Sequence, residues 1–151
     1  MNMLKKLGTI YSESLVEVIS TVAGIHLQIE CRKSDNKFDD ITGVMILNAK
    51  ENGILLVSAK APDVRIICSK IIGIPPEEVT EDDMDDTMCE LVNMTAGNAK
   101  LRLNGTDYMF TLSQPFVIKG KEVSIITKNI TNIIASTVSD GEVTIKLKAI
   151  Y

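Results

Sequence analysis

Two stretches of the sequence resemble each other closely enough to constrain the fold of the whole chain. "EVISTVAG" at residues 17–24 aligns with "ELVNMTAG" at residues 90–97, and the two copies share the first glutamate and the closing Ala-Gly. Each copy lies on a long predicted helix that leads into strands, which is the pattern of a duplicated unit. The repeat therefore predicts two pseudo-symmetric halves, each a helix followed by strands.

The first half begins with a helix predicted over residues 4–23, where apolar side chains recur at three- and four-residue spacing and Gly24 can form the C-terminal cap. "IHLQIECRK" alternates with period two and predicts a strand over residues 25–33. The turn signal "ENG" predicts a hairpin over residues 41–60. "APDVRIICSKIIG", with proline near its start and glycine at its end, predicts a short helix.

The second half begins with a long helix predicted over residues 81–103, for which Thr80 can serve as N-cap with Asp83 at the third helical position. The segments "DYMFTLSQPFVIKGKEVSIITKN" and "NIIASTVSDGEVTIKLKAIY" then predict strands joined by hairpins. Runs of strands with a few helices on one face form an α+β fold. We expect residues 1–151 to form a single α+β domain in which long helices pack on a largely antiparallel sheet.

Composition limits the classes of partner. The chain of 151 residues is 45% hydrophobic, enough for one core that buries about 70% of the unfolded surface. Its formal net charge is -4, and it has no block of like charges of the kind that binds nucleic acid or an anionic membrane. The N-terminus meets serines and glutamates before a secretory apolar region can form. We expect a cytoplasmic protein whose partners are proteins or small molecules.

Metal and nucleophile sites are hard to assemble from this sequence. The one histidine, His26, has no paired ligand spacing, so we interpret it as structural or solvated. The three cysteines, Cys31, Cys68 and Cys89, are odd in number and widely spaced, which favours buried or partly buried thiols in a reducing compartment over a disulfide framework. No metal site or cofactor site is predicted.

The second long helix has two faces of different character. Asp86, Glu90, Asn93 and Gly97 fall on one side, at spacings of four, three and four residues. The opposite sector is apolar and is predicted to pack on the sheet: Met84, Met88, Leu91, Val92, Thr95, Ala99 and Leu103. Solvated helix faces are commonly polar, and that interpretation stays open. Asn and Gly are nevertheless poor helix formers, costing about 0.7 and 1 kcal/mol relative to Ala, which points to a role in contacting a partner.

The chemistry available to this face is limited. An amide neither attacks nor accepts protons usefully, but it can hold a water molecule in line with a phosphorus atom. A carboxylate beside it can anchor a cation on a partner through a charge-assisted contact. A glycine lets a partner's backbone come close. These properties suggest hydrolysis in which the partner supplies both the phosphoryl group and the metal.

This face resembles that of a known family, the CheC/CheX/FliY phosphatases of bacterial chemotaxis, and within it the CheX type. The family pattern is an Asp or Ser, three residues, Glu, two residues, Asn, then about 21 residues and Pro. The chain has Asp86, Glu90, Asn93 and, after 21 intervening residues, Pro115. The segments "ELVNMTAGNAKLRL" and "LSQPFVIKGKEVSI" are similar to the family beyond this pattern, and the order of elements agrees over almost the whole chain.

The resemblance implies a phosphatase for phosphorylated CheY or a related response regulator. It implies that Asn93 orients the attacking water, that Glu90 pairs with the regulator's lysine, and that the regulator supplies Mg²⁺. Asp86 matches the first position of the pattern, with capping, support or direct contact as its alternatives, and Pro115 is a structural marker. Ser20 stands where the second half has Asn93, and its hydroxyl is too short to hold the water as the amide would, so we expect Glu17 and Ser20 to be inactive. CheX-type relatives carry one active face, in the second half, and form homodimers through their sheets, which implies a homodimer here.

Two alternatives to a phosphatase remain. One is a non-catalytic module that binds a response regulator, or a second copy of itself, and sequesters it. Asn93 discriminates against this alternative, because a pure binder would not need the amide. The other is a small-molecule binding domain that uses the cleft between the halves. No sequence motif supports this second alternative.

Overall fold

The structure, a computed structural model, describes residues 2–30, 37–128 and 132–151. Its helices all pack on one face of the main sheet, and the capping glycines and proline lie where the sequence predicts them. The helical elements are α1 (Met3–Ala23), α2 (Ala61–Ile72), a short 3-10 helix (Pro76–Glu78) and α3 (Glu81–Leu103). No helix in the described ranges is long and apolar enough to cross a bilayer.

The strands form one large antiparallel sheet and one small one. They are β1 (Gln28–Glu30), β2 (Lys37–Phe38), β3 (Ile41–Ala49), β4 (Gly53–Ala59), β5 (Phe110–Thr111), β6 (Phe116–Lys119), β7 (Val123–Ser124), β8 (Ile133–Ser139) and β9 (Thr144–Ile150). The large sheet runs β1-β8-β9-β4-β3, with β5 and β6 both paired to the outer edge of β3. The small sheet consists of β2 and β7. The α+β fold class is confirmed.

The pairing of strands shows the two halves directly. β4 of the first half pairs with β9 of the second, and β2 pairs with β7. The outer strands are exchanged, because β1 lies beside β8 of the second half and β6 lies beside β3 of the first. The helices α1 and α3 and the hairpins β3-β4 and β8-β9 therefore correspond across a pseudo-twofold relation. The predicted pseudo-symmetric halves are present.

The main core lies between the three helices and the sheet. Its fully buried side chains include Leu7, Leu15 and Ile19 of α1, Met88 and Leu91 of α3, and Met45, Leu47 and Leu55 of the central strands. A smaller cluster of Phe38, Val44, Leu56 and Ile150 lies on the opposite face of the sheet. Because successive strand residues point to opposite faces, β3 contributes Val44 to one core and Met45 to the other.

Gly43 sets the distance between α3 and the sheet. A Cβ atom built on Gly43 would lie only 2.5 Å from the main-chain oxygen of Met88 and 3.2 Å from Cγ1 of Val92. No other residue type has room there, since real Cβ atoms do not approach a carbonyl oxygen so closely. The glycine thus allows the middle of α3, which carries Glu90 and Asn93, to pack directly on β3.

The structure confirms most local predictions and corrects two. The hairpin over 41–60 and the helix over 81–103 are confirmed. The strand predicted over 25–33 is wrong at its start, since pairing begins only at Gln28. Gly24 turns the chain in the left-handed region (φ 67°), and Ile25 and Leu27 enter the core before the chain reaches β8. The end of that strand and Cys31 lie outside the described residues.

The second correction concerns the strands that follow α3. β5 and β6 do not form a hairpin with each other, since both extend along β3, and β7 pairs with β2 instead of β6. Pro115 lies between β5 and β6 and has no N–H to donate, so the ladder is interrupted there. The hydroxyl of Ser113 donates to the main-chain oxygen of Ile46 at 2.7 Å and bridges the interruption.

Candidate functional site

The start of α3 is fixed by a capping box. The Thr80 side-chain oxygen accepts from the Asp83 N–H at 3.1 Å, and the Asp83 carboxylate accepts from the Thr80 N–H at 3.0 Å. Both predicted capping residues therefore act as the sequence indicates. The acidic residues of the first turn, Glu81, Asp82 and Asp83, favour the positive end of the helix dipole.

Contacts from neighbouring elements hold α3 in place along its length. Arg65 of α2 donates to the main-chain oxygens of Pro76 and Val79, at 3.1 and 2.6 Å, and so ties the segment that leads into α3. Lys119 of β6 pairs with Asp85 at 3.2 Å, and this contact raises the pKa of the lysine. The helix that carries the candidate site is thus anchored at its start and on its flank.

The two faces of α3 are distributed as the spacing predicts. The seven residues assigned to the packed face are all buried: Met84, Met88, Leu91, Val92, Thr95, Ala99 and Leu103. Asp86 and Glu90 are exposed, and Asn93 and Gly97 are half-buried. These four residues, which we call the active face, are brought together on one side of the helix. Their roles stay predictions.

The polar groups of the active face have no partner in the part of the chain that the structure describes. Within residues 2–30, 37–128 and 132–151, neither the Glu90 carboxylate nor the Asn93 amide has a hydrogen bond or an ion pair. A Cβ atom built on Gly97 would meet nothing within 4 Å. Neither the asparagine nor the glycine is therefore required by the packing of the chain itself, although both weaken a helix. A requirement from outside the chain explains them better.

The active face offers no nucleophile of its own. Cys89 precedes Glu90, but burial raises the pKa of its thiol, and the carboxylates of Asp86, Asp85 and Glu90 raise it further. A protonated thiol is a poor nucleophile and a poor metal ligand. Among the described residues, no group of three histidine, cysteine or acidic side chains is arranged to hold a metal ion. Cys68 is buried, as predicted for a structural thiol.

Apolar surface borders the active face. A groove of about 350 Å³ runs beside it, lined by Val22, Ile71, Ile72, Asp83, Asp86, Thr87, Glu90, Leu91 and Met94. Leu101, one turn beyond Gly97, is 81% exposed. An exposed leucine on its own is ordinary, but this one continues a row of residues suited to contact a partner. The polar groups are thus set in a surface that can also bury apolar area.

The side of α1 that carries Glu17 and Ser20 has hydrogen-bond partners that the sequence did not reveal. Arg102 of α3 donates through Nη1 to Glu13 at 3.0 Å and through Nη2 to Glu17, and the Ser20 hydroxyl is hydrogen-bonded to His26 Nδ1 at 3.1 Å. The predicted inactivity of Glu17 and Ser20 rested on the serine alone. Only the fold brings Arg102, more than 80 positions later in the sequence, to the two glutamates.

Comparisons with known proteins identify the family of this chain. The family model for chemotaxis phosphatase CheX matches residues 41–139. A CheC-like superfamily protein from Shewanella sp. PV-4 is 27% identical with a TM-score of 0.83, over 99% of this chain and 98% of that one. Chemotaxis protein CheX from Vibrio vulnificus is 21% identical with a TM-score of 0.83, over 96% and 98%. No curated protein sequence matches the chain.

A third solved structure contains a partner. It is a complex of CheX with CheY, BeF3 and Mg²⁺ from Borrelia burgdorferi, and its similarity to this chain is 15% identity with a TM-score of 0.78, over 94% of this chain and 95% of that one. At such identity the likeness concerns the fold. The family match covers well over half of the sequence and includes the whole of α3. The chain belongs to the CheX family of chemotaxis phosphatases.

Proposed function

We propose that the protein hydrolyses the aspartyl phosphate of a CheY-type response regulator, whose phosphorylated domain we call the receiver. The proposal is carried by the Glu90 carboxylate and the Asn93 amide, which are adjacent on the exposed side of a firmly anchored helix and have no hydrogen-bond or ion-pair partner among the described residues. Family membership supports the reaction class. The Borrelia burgdorferi relative, solved with CheY, BeF3 and Mg²⁺, supports the choice of partner.

In the proposed reaction, α3 enters the receiver's active site and Asn93 adds one oriented group to it. The amide oxygen accepts from a water molecule and holds its oxygen in line with the phosphorus. The water oxygen bonds to phosphorus as the bond to the aspartyl oxygen breaks, which leaves the receiver's carboxylate and inorganic phosphate. Binding the water in this geometry removes much of the entropic barrier, so no covalent intermediate on this chain is needed.

The other residues of the active face position the two proteins. Glu90 accepts from the receiver's lysine in a charge-assisted contact, and Gly97 lets the receiver's backbone approach the helix. Asp86 supports the same contact from one turn earlier. The receiver contributes Mg²⁺, and this chain needs no cofactor of its own. We place the protein in the cytoplasm, as a homodimer.

Catalytic turnover separates this proposal from the sequestering alternative. Decay of a Mg²⁺-loaded, phosphorylated receiver is followed with this protein at a small fraction of the receiver concentration. A phosphatase accelerates the loss of all the phosphorylated receiver, since each molecule acts repeatedly. A sequestering module changes at most the fraction it can bind. Measurable binding without acceleration across several receivers would move the protein to the sequestering class.

We expect Gly97→Ala to stabilise the protein and weaken its activity. Alanine is favoured over glycine inside a helix by about 1 kcal/mol, and the added methyl group meets nothing within 4 Å in this chain. The same methyl group would keep the receiver's backbone at a distance. Thermal unfolding should shift upward by about 2–4 °C, while kcat/KM for the phosphorylated receiver falls. A stabilised variant with unchanged kcat/KM would remove Gly97 from the receiver contact.

We expect Glu90→Gln to weaken association with the receiver and to reduce its dependence on ionic strength. Gln keeps an acceptor oxygen but loses the charge, and close charge pairs at interfaces are coupled by about 1.5 kcal/mol or more, so the dissociation constant should rise by about tenfold or more. Salt screens only charged contacts. Binding of a BeF3⁻-loaded receiver at low and high salt measures both effects. Glu77→Gln is the control, because it removes the same charge from the exposed 3-10 helix, away from the active face.

A further inference from the structure

The first half carries a face that corresponds to the active face position by position. The aligned repeat places Glu17 where the second half has Glu90 and Ser20 where it has Asn93. Glu13 lies one turn earlier and corresponds to Asp86. Glu13 and Glu17 are exposed on α1, and the three residues border a groove of about 480 Å³. We call Glu13, Glu17 and Ser20 the first face.

The first face differs from the active face in having its own cation. The Arg102 guanidinium spans both carboxylates, with Nη1 at 3.0 Å from Glu13 Oε2 and Nη2 bonded to Glu17 Oε2. In the part of the chain that the structure describes, no lysine or arginine pairs with Asp86 or Glu90. Two carboxylates that would otherwise be available to a lysine of a partner are therefore already paired on α1.

The unequal lengths of the helices bring this cation into position. α1 ends at Ala23, because Gly24 adopts a left-handed conformation (φ 67°). The corresponding glycine of the second half, Gly97, remains helical, and α3 continues to Leu103. Arg102 lies in this extension, and its side chain reaches across to α1. The different conformations of Gly24 and Gly97 thus also explain why an arginine lies beside the first face.

We propose that Arg102 closes the first face to receivers by occupying the carboxylates that would anchor the receiver's lysine. This inference rests on the proposed function. It gives two separate reasons why the first face is inactive. Arg102 prevents binding at the first face, and Ser20 prevents catalysis there. An intramolecular cation is present at high effective concentration, so a receiver lysine must displace it before pairing with Glu17. Arginine suits the role, since its planar fork can serve two carboxylates at once.

Binding stoichiometry tests the inference without requiring catalysis at the first face. A receiver loaded with Mg²⁺ and BeF3⁻ is titrated calorimetrically into each variant, up to concentrations far above those that saturate the active face. Wild type should bind one receiver per chain and Arg102→Gln two. Arg102→Lys should bind one, because it keeps a cation beside the glutamates. Adding Glu17→Gln to Arg102→Gln should return the number to one.

The outcomes separate this inference from the function on which it rests. One receiver per chain for wild type and for both folded variants, Arg102→Gln and Arg102→Met, would overturn the closure by Arg102 and leave the proposed function intact. No binding by wild type would overturn the proposed function and this inference with it. Arg102→Met, which keeps the aliphatic stem of the side chain, is measured in parallel, with circular dichroism to confirm that each variant is folded. Two sites in either folded variant support the inference.

Discussion

Asn93→Ala should abolish nearly all of the acceleration that the protein gives to receiver dephosphorylation, while binding changes little. Removing one oriented polar group from a reaction centre costs on the order of 10²–10³ in rate, so the observed decay should fall to the receiver's own rate. The amide is half-buried and has no hydrogen-bond partner among residues 2–30, 37–128 and 132–151, so its removal breaks no hydrogen bond there. Single-turnover decay and a binding titration measure the two quantities separately.

Asn98→Ala is the matched control for this experiment. It removes the same amide from the same helix, five residues further on, which is about 140° around the helix axis from Asn93. The Asn98 side-chain oxygen is buried without a hydrogen-bond partner in the described structure, so its loss costs little stability. We expect Asn98→Ala to retain wild-type acceleration. If Asn93→Ala and Asn98→Ala lost activity equally, or if Asn93→Ala lost binding instead, the water-orienting role would be wrong.

The second large effect concerns stability. Gly43→Ala should destabilise the fold by about 3 kcal/mol, at the upper end of what overpacking usually costs, because the new methyl group would lie 2.5 Å from the main-chain oxygen of Met88. The nearest contacted atoms belong to the main chain of Met88, which cannot rotate aside, so α3 itself must move away from β3. The melting temperature should fall by about 6–12 °C, and activity should fall as well, since α3 carries the active face.

Gly97→Ala provides the matched comparison. The chemical change is identical. Gly43 lies on β3 and faces α3, whereas Gly97 lies on α3, and the predicted changes in stability have opposite signs, since a Cβ atom at Gly97 meets nothing within 4 Å. Urea unfolding of both variants and wild type measures the difference. An unchanged free energy of unfolding for Gly43→Ala would show that α3 does not depend on this close approach.

Sequence alone was sufficient for features determined within a few residues. The bounds of α3 follow from the Thr80–Asp83 capping box and from apolar spacing, both of which act inside one helix. The same spacing separates the buried residues of α3 from Glu90 and Asn93. The hairpin of β3 and β4 follows from a local turn signal and was predicted equally well. The candidate site consists of one such helix face, so its composition could be predicted before its surroundings.

Features determined by distant residues were not predicted. The pairing of β1 with β8 and of β6 with β3 joins segments from opposite halves of the chain, and nothing in a strand's own sequence names its neighbour. The contact of Arg102 with Glu13 and Glu17 likewise exists only once α1 and α3 are packed together. On the printed sequence, Arg102 is one basic residue in the last turn of a helix, which the helix dipole explains sufficiently.

The exchange of edge strands means that neither half can complete its sheet alone. A chain with only one half would leave the edges beside β3 and β1 unpaired, and unpaired edges favour association. Two identical copies could assemble the same sheet as a symmetric dimer, which would display two equal helix faces. The architecture is that of such a dimer fused into one polypeptide. In a fused chain the two faces no longer need to have the same sequence. One face could therefore acquire Ser20 and the contact with Arg102, while the other has Glu90 and Asn93.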